Sequence, residues 1–276
     1  MWINGRTKDT ISALDRGLLY GDGAFETILL KQHRPVLLLP HLQRLQKTCL
    51  RLQIDCPLPL LRQELEAFLA VEPVPAENAI LKIIVTRGEG GRGYRPAGTL
   101  ACQRILQLHP FPETRHDHAR EGITVQLCQH PVSSNYRLAG FKHLNRLDQV
   151  LASMELREEV TEGLMFDEND LVIEGTRSNL FMVLANTVCT PLLNKSGVAG
   201  ILRDALLAAF QHEGVRHHIR SISRQELFQA SEIFICNSLI GIWPVTGLIT
   251  ESEMIRFDIG PHTRHAQQLL QAIMAT

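Results

Sequence analysis

Phe141-Lys142-His143-Leu144-Asn145-Arg146 is the stretch on which the reading of this chain turns. A single lysine follows the short apolar approach Leu138-Ala139-Gly140-Phe141. Beyond it Leu144, Leu147, Val150, Leu151 and Met154 recur at helical spacing. That spacing predicts an amphipathic helix whose apolar face packs inward. Lys142 would then stand where an ordered approach meets a helix start, held by packed neighbours on both sides. Lysine is mostly exposed, so a half-buried one needs a reason. Nucleophilic chemistry is one, because desolvation disfavours the ammonium and leaves a reactive amine. A solvated lysine near a helix end is the plainer reading, and this stretch alone leaves both open.

Downstream, Gly163 to Phe166 and Leu171 to Ile173 flank the polar turn Asp167-Glu168-Asn169-Asp170 and predict a hairpin. Its second strand delivers Glu174-Gly175-Thr176-Arg177-Ser178-Asn179, and Leu180 to Leu184 reads as another strand. Glu174 is either a turn residue at a sheet end or an inward carboxylate that needs a cationic partner. Val198-Ala199-Gly200-Ile201-Leu202-Arg203-Asp204 opens a helix with Leu206, Leu207 and Phe210 inward. A glycine before a helix start leaves backbone N–H groups open, a general means of holding a phosphate. Ser223-Arg224-Gln225-Glu226 has the form of a capping box. Glu232 to Cys236 reads as a buried strand emptying into the polar pair Asn237-Ser238, and Gly260-Pro261 starts a terminal helix. His217-His218 lacks a partner at metal-ligand spacing, and no metal site is expected.

Upstream, Ile123 to Leu127 alternates as a strand. His109-Pro110-Phe111-Pro112-Glu113 and the polar run to Arg120 make a linker candidate. The division expected is therefore an N-terminal domain over 1–109, a linker over 110–120 and a second domain over 121–276. Within the first, Asn4-Gly5 signals a hairpin. Asp15 to Thr27, with three glycines in seven residues, predicts a tightly folded loop. Strands follow over Phe25 to Leu30 and Val36 to Leu39. A helix from Pro40 turns Leu42, Leu45, Cys49 and Leu52 inward, with His41, Arg44 and Arg51 on an adjoining face. Arg44 by itself reads as a surface charge. Leu58 to Leu69 is a second helix; Ala79 to Thr86 and Gln103 to Leu108 are strands. Between those strands, Gly88, Gly90 and Gly93 match Gly-x-Gly-x-x-Gly by letter. Pro96 and Gly98 break the chain where a helix should open, which excludes a dinucleotide fingerprint. The loop is either an ordinary hairpin connection or, with its arginines and Tyr94, a surface for an anionic small molecule.

The chain has 276 residues with 45% hydrophobic content, enough for one large or two medium cores. Its 28 Lys and Arg nearly balance 29 Asp and Glu, which argues against nucleic acid or a membrane surface as partner. No apolar run could span a bilayer, and the N-terminus lacks the apolar segment of a signal peptide. Six scattered cysteines without a Cys-x-x-Cys pair suit reduced core residues in a cytoplasmic protein.

Mixed strands and helices in both halves predict an α/β (α+β) chain of two domains with a cleft. Lys142, Glu174, Arg44, Gly200-Ile201-Leu202 and Asn237-Ser238 supply an amine, a carboxylate and phosphate donors. That is the set pyridoxal phosphate demands. These motifs resemble the class IV aminotransferases, the fold type IV pyridoxal-phosphate enzymes. The likeness runs nearly end to end, through Tyr20-Gly21-Asp22-Gly23-Ala24-Phe25-Glu26, His41-Leu42-Gln43-Arg44-Leu45, Glu174-Gly175-Thr176-Arg177-Ser178-Asn179 and Gly200-Ile201-Leu202-Arg203. Lys142-His143-Leu144-Asn145-Arg146 and Arg87-Gly88-Glu89-Gly90-Gly91-Arg92-Gly93-Tyr94 tilt it toward the aminodeoxychorismate lyase branch of that family.

The resemblance implies a small N-terminal and a larger C-terminal domain with the cofactor at their interface, in a homodimer. It implies that Lys142 bonds the cofactor aldehyde and Glu174 pairs with its pyridine nitrogen. Arg44, Ile201, Leu202 and Ser238 would hold the phosphate, with Asn237 beside them. The implied reaction is release of pyruvate and 4-aminobenzoate from 4-amino-4-deoxychorismate in folate synthesis. Arg92, Tyr94 and Arg177 are the candidates for the substrate carboxylates. The rival within the family is a transaminase of D-amino acids or branched-chain amino acids. A rival of another class is a cofactor-binding protein with a dead site.

Overall fold

A computed structural model of the chain describes residues 1–74, 76–96, 98, 100–112 and 117–275. Part of the expected linker, residues 113–116, lies outside the described residues. The chain divides into two compact units: Met1–Glu113 with Phe141–Asn145, and Thr114–Gly140 with Arg146–Thr276. The Lys142 segment, expected in the second domain, therefore groups with the first. Backbone pairing is the cause: Phe25 N–H donates to the Lys142 carbonyl (3.1 Å) and Leu144 N–H to the Gly23 carbonyl (2.9 Å).

The first unit runs β1 (Trp2–Ile3), β2 (Arg6–Thr7), α1 (Arg16–Tyr20), β3 (Gly23–Lys31), β4 (Arg34–Pro35), α2 (Leu38–Arg51), α3 (Leu58–Val71), β5 (Asn78–Thr86) and β6 (Gln103–Pro110). Among the described residues six strands form one sheet in the order β2-β1-β6-β5-β3-β4. Asn4 and Gly5 take positive φ (54° and 74°), the conformation an Asn-Gly hairpin turn requires. The expected loop at Asp15 contains a five-residue helix instead. Asp15 caps its first turn by accepting from Gly17 N–H, and Gly21 at φ 65° ends it. Val36 to Leu39, expected as a strand, instead leads into α2, which begins at Leu38 after Leu37 at φ 53°. Leu42, Leu45 and Cys49 of α2 pack with Leu61, Leu65 and Phe68 of α3 on Ile28, Leu30, Leu81 and Ile83 of the sheet. Full burial of each such Leu, Ile or Phe side chain contributes about 1.5–3 kcal/mol.

The second unit runs α4 (His118–Glu121), β7 (Ile123–Leu127), α5 (Leu147–Met154), β8 (Glu162–Phe166), β9 (Val172–Gly175), β10 (Asn179–Leu184), β11 (Thr187–Pro191), α6 (Ile201–His212), β12 (His217–Arg220), α7 (Arg224–Phe228), β13 (Glu232–Asn237), β14 (Gly241–Ile249), β15 (Met254–Arg256) and α8 (Pro261–Ala275). Its sheet follows the order β12-β11-β10-β13-β14-β7-β8-β9, with β15 on β14. The Ser223–Glu226 capping box is present at α7. His217 and His218 lie on the edge strand β12, and the described residues hold no metal-binding cluster. The apolar stripe after Lys142 behaves differently from expectation. The helix starts only at Leu147, and Leu147 and Met154 are 73% and 76% exposed, with Val150 and Leu151 also exposed. Periodicity reports an apolar stripe but not what covers it.

Candidate active site

In the first unit the site is built on β3 and α2. Alternation along β3 turns Ala24, Glu26, Ile28 and Leu30 toward the core, so Glu26 is a carboxylate inside an apolar row. A buried carboxylate must be paired. Arg44 on α2 forks onto it, Nε to Oε1 at 2.8 Å and Nη2 to Oε2 at 2.6 Å. His41, one turn earlier on the same face, places Nδ1 2.7 Å from Oε2. Burial alone would raise the Glu26 carboxyl, but Arg44 and His41 outweigh it and hold it below its ordinary value. The Lys142 ammonium lies 4.3 Å from the Phe25 ring centroid, a cation–π distance, on the segment that pairs with β3. Lys142 is thus half-buried and positioned by strand pairing.

A second network organises the loop after β5. Arg16, buried in α1, donates to Asp22 (3.0 Å) and to the Gly93 (2.9 Å) and Tyr94 (2.6 Å) carbonyls. A Cβ at Gly90 would come within 2.6 Å of Arg16 Cδ, so the loop closes tightly over this side chain. Arg87 forks onto Asp22 and reaches the Leu52 and Gln53 carbonyls. Burial would raise Asp22, but Arg87 and Arg16 hold it low. The backbone of the loop is strapped down while the side chains of Arg92 and Tyr94 are left outside. Tyr94 is 85% exposed and meets Tyr20 edge-on at 5.5 Å.

In the second unit Glu174 sits buried on β9. Its Oε2 accepts from Val198 N–H at 2.8 Å and its Oε1 from Gln149 at 3.3 Å. Gly197, at φ 81°, passes so close that a Cβ there would lie 2.9 Å from Ile173 and 3.3 Å from Glu174 Oε2. Arg146, at the start of α5, faces Glu174 and Asp148; burial nonetheless pulls its guanidinium below its usual value. Asn179 donates to the Val198 carbonyl at 2.8 Å and stacks against Gly200, where a Cβ would fall 2.0 Å from Asn179 Oδ1. Gly200 is the N-cap of α6, and no side chain caps that end. The N–H groups of Ile201 and Leu202 therefore belong to a helix start without a side-chain cap, the kind of end that can accept an anion.

The remaining candidates fall nearby in the same unit. Asn237 accepts from Leu239 and Ile240 N–H and donates to the Arg177 carbonyl, so its side chain is used in ordering the turn that carries Ser238. Arg177 donates to the Thr161 carbonyl (2.6 Å) and to Glu162 (3.3 Å). Glu162 is fully buried, accepts from the Thr176 hydroxyl, and burial raises its carboxyl. The second unit thus brings together Glu174, Ile201, Leu202, Asn237, Ser238 and Arg177; the first holds Lys142, Arg44, Arg92 and Tyr94. Glu26, His41, Arg16, Arg146 and Gln149 were not singled out as functional. Glu26 alone offered a signal, as an acid in phase with apolar strand residues.

Residues 23–248 match the family described as amino-transferase class IV, and the chain belongs to that family, whose members work with pyridoxal phosphate. Aminodeoxychorismate lyase of Vibrio harveyi is 34% identical over 96% of this chain and 97% of its own length. The crystal structure of 4-amino-4-deoxychorismate lyase from Pseudomonas aeruginosa superposes with a TM-score of 0.92, at 42% identity and 98% coverage of both chains. A putative branched-chain-amino-acid aminotransferase of Methanocaldococcus jannaschii is 31% identical over 89% of this chain and 86% of its own.

Proposed function

We propose that this protein is a 4-amino-4-deoxychorismate lyase, releasing pyruvate and 4-aminobenzoate. The observation that carries the reading is the likeness to the Vibrio harveyi and Pseudomonas aeruginosa lyases over nearly the whole of both chains, at 34% and 42% identity against 31% for the Methanocaldococcus jannaschii aminotransferase. The donor types suit pyridoxal phosphate: an amine at Lys142, a carboxylate at Glu174, and at the start of α6 a helix end that no side chain caps. When bound, the cofactor supplies an electron sink for the amine-bearing carbon of the substrate.

Lys142 would hold the cofactor through its aldehyde, and its amine would serve as the base for the proton on the substrate's amine-bearing carbon. The same amine is also assigned to return a proton to the departing enolpyruvyl group. Glu174, held by Val198 N–H and Gln149, is assigned to the pyridine nitrogen, where a fixed carboxylate keeps a proton on the ring. Arg44, Ser238 and the N–H groups of Ile201 and Leu202 are assigned to the phosphate, with Asn237 shaping the turn behind Ser238. Arg92, Tyr94 and Arg177 remain our candidates for the substrate carboxylates.

We propose further that the protein is a cytoplasmic homodimer. Six free cysteines suit a reducing compartment. The exposed Leu147, Val150, Leu151 and Met154 face of α5 is apolar surface of the kind a second copy covers. No described helix is long and apolar enough to cross a membrane. Replacement of Lys142 by Ala tests the catalytic assignment: turnover and the visible absorbance of lysine-bound cofactor should both vanish, and normal turnover would refute it.

A further inference from the structure

His41 carries an observation that the proposed chemistry does not use. Its ring is fully buried, and with Nδ1 spent on Glu26 its Nε2 has no hydrogen-bond partner. A buried polar atom left unpaired is costly, and native proteins carry few of them. Nδ1 beside a carboxylate is the donor, so Nε2 is a buried lone pair, a vacant place for a proton.

The charges around it define what would fill that place. Three charged groups face His41: Glu26 on β3, Arg44 on α2 and Lys142 on the segment paired with β3. Glu26 already neutralises Arg44 through a two-point fork. A phosphate dianion arriving at Arg44 therefore meets a cation whose charge is largely spent, and a buried anion without compensation is costly. Burial holds the His41 imidazole below its ordinary pKa, against the pull of Glu26. We infer that His41 takes up a proton on Nε2 when the cofactor phosphate binds at Arg44, becoming the cation that balances it. The inference rests on the assignment of Arg44 to that phosphate. His41 would act through Glu26 and Arg44, as a positioning residue rather than a catalytic one. Cofactor affinity should then weaken as pH rises, because a proton must be supplied to the complex.

The test uses the cofactor-free full-length chain and inorganic sulfate, a dianion whose own charge is fixed across the range. Calorimetry in two buffers of different ionisation enthalpy should show close to one proton taken up, and affinity falling by up to about tenfold per pH unit between the free and bound imidazole pKa values. His41→Asn keeps a donor for Glu26 and should abolish the uptake and flatten the pH dependence. The His41 ring resonances in the unsubstituted protein should shift to the imidazolium position on sulfate addition, which needs no variant to fold. Sulfate binding weakened by Arg44→Met but with no proton uptake would overturn the role of His41 and leave the phosphate assignment standing. Uptake that persists in His41→Asn would move the proton elsewhere and overturn it too. Sulfate binding unaffected by Arg44→Met would remove the phosphate assignment and this inference with it.

Discussion

Gly200→Ala is the substitution whose cost can be worked most directly from the structure. The backbone at Gly200 is extended (φ −70°), so alanine meets no conformational penalty there. The penalty is steric: its Cβ would stand 2.0 Å from Asn179 Oδ1, well inside contact distance. Asn179 is buried and fixed by its 2.8 Å bond to the Val198 carbonyl, whose residue also supplies the N–H that holds Glu174. Either Asn179 swings away and leaves that carbonyl unpaired, or the α6 start moves. Losing the hydrogen bond and stranding a buried partner costs about 1–3 kcal/mol. At 1.4 kcal/mol per factor of ten, cofactor binding should weaken by about 5- to 150-fold. Fluorescence titration of the cofactor-free protein measures this. Asn179→Ala removes the obstructing oxygen, so the double variant should bind more tightly than additivity of the two single losses allows. Affinity for Gly200→Ala within about twofold of the parent, or strict additivity, would refute the argument that the helix start is held by this contact.

Other substitutions test separate links. Glu26→Gln removes a buried carboxylate that Arg44 and His41 hold below its ordinary pKa. Such a group adds stability above its unfolded pKa and loses it as pH falls through the lower folded value. Urea unfolding at neutral pH should show a loss of about 3–5 kcal/mol, because the buried carboxylate that Arg44 and His41 share is gone. The gap between parent and variant should narrow below the 4.5 of an ordinary glutamate; a constant gap would contradict the assigned charge state. Glu174→Ala should retain some cofactor but lose turnover by about 100-fold or more, the scale of a lost general acid–base partner; unchanged kcat would reject its role. Leu147→Glu with Met154→Glu places charge on the exposed α5 face and should shift the species seen by sedimentation from dimer to monomer; an unaltered dimer would place the interface elsewhere.

Local signals were legible where chemistry is local. The Asn4-Gly5 hairpin, the Ser223–Glu226 capping box and the strand ending at Thr86 follow from turn chemistry, side-chain reciprocity and a β-branched run. The helix at Arg16 was hidden because three glycines suggested a loop, while Asp15 and Gly21 were its two caps. Phe141–Asn145 joins β3 by pairing across more than a hundred residues, which no periodicity encodes. The apolar stripe of α5 is real, yet it faces outward, since spacing cannot say whether a core or another chain covers it. At the candidate site the amine, carboxylate and helix start stood out as residue types. The Glu26–Arg44–His41 cluster and the anchoring of Glu174 by Val198 depend on separations of 15 to 24 residues and appear only in the fold. Arg44 shows the limit clearly: a surface charge by type, it is fixed by a buried acid on another element.

Product analysis decides between lyase and transaminase. The purified protein, loaded with pyridoxal phosphate, is given 4-amino-4-deoxychorismate while pyruvate and 4-aminobenzoate are followed together. A lyase would be a yellow protein that releases both in equal amounts, at a rate far above its conversion of D-alanine or a branched-chain amino acid with 2-oxoglutarate. A yellow protein that instead converts those amino acids readily and leaves aminodeoxychorismate untouched would contradict the lyase reading.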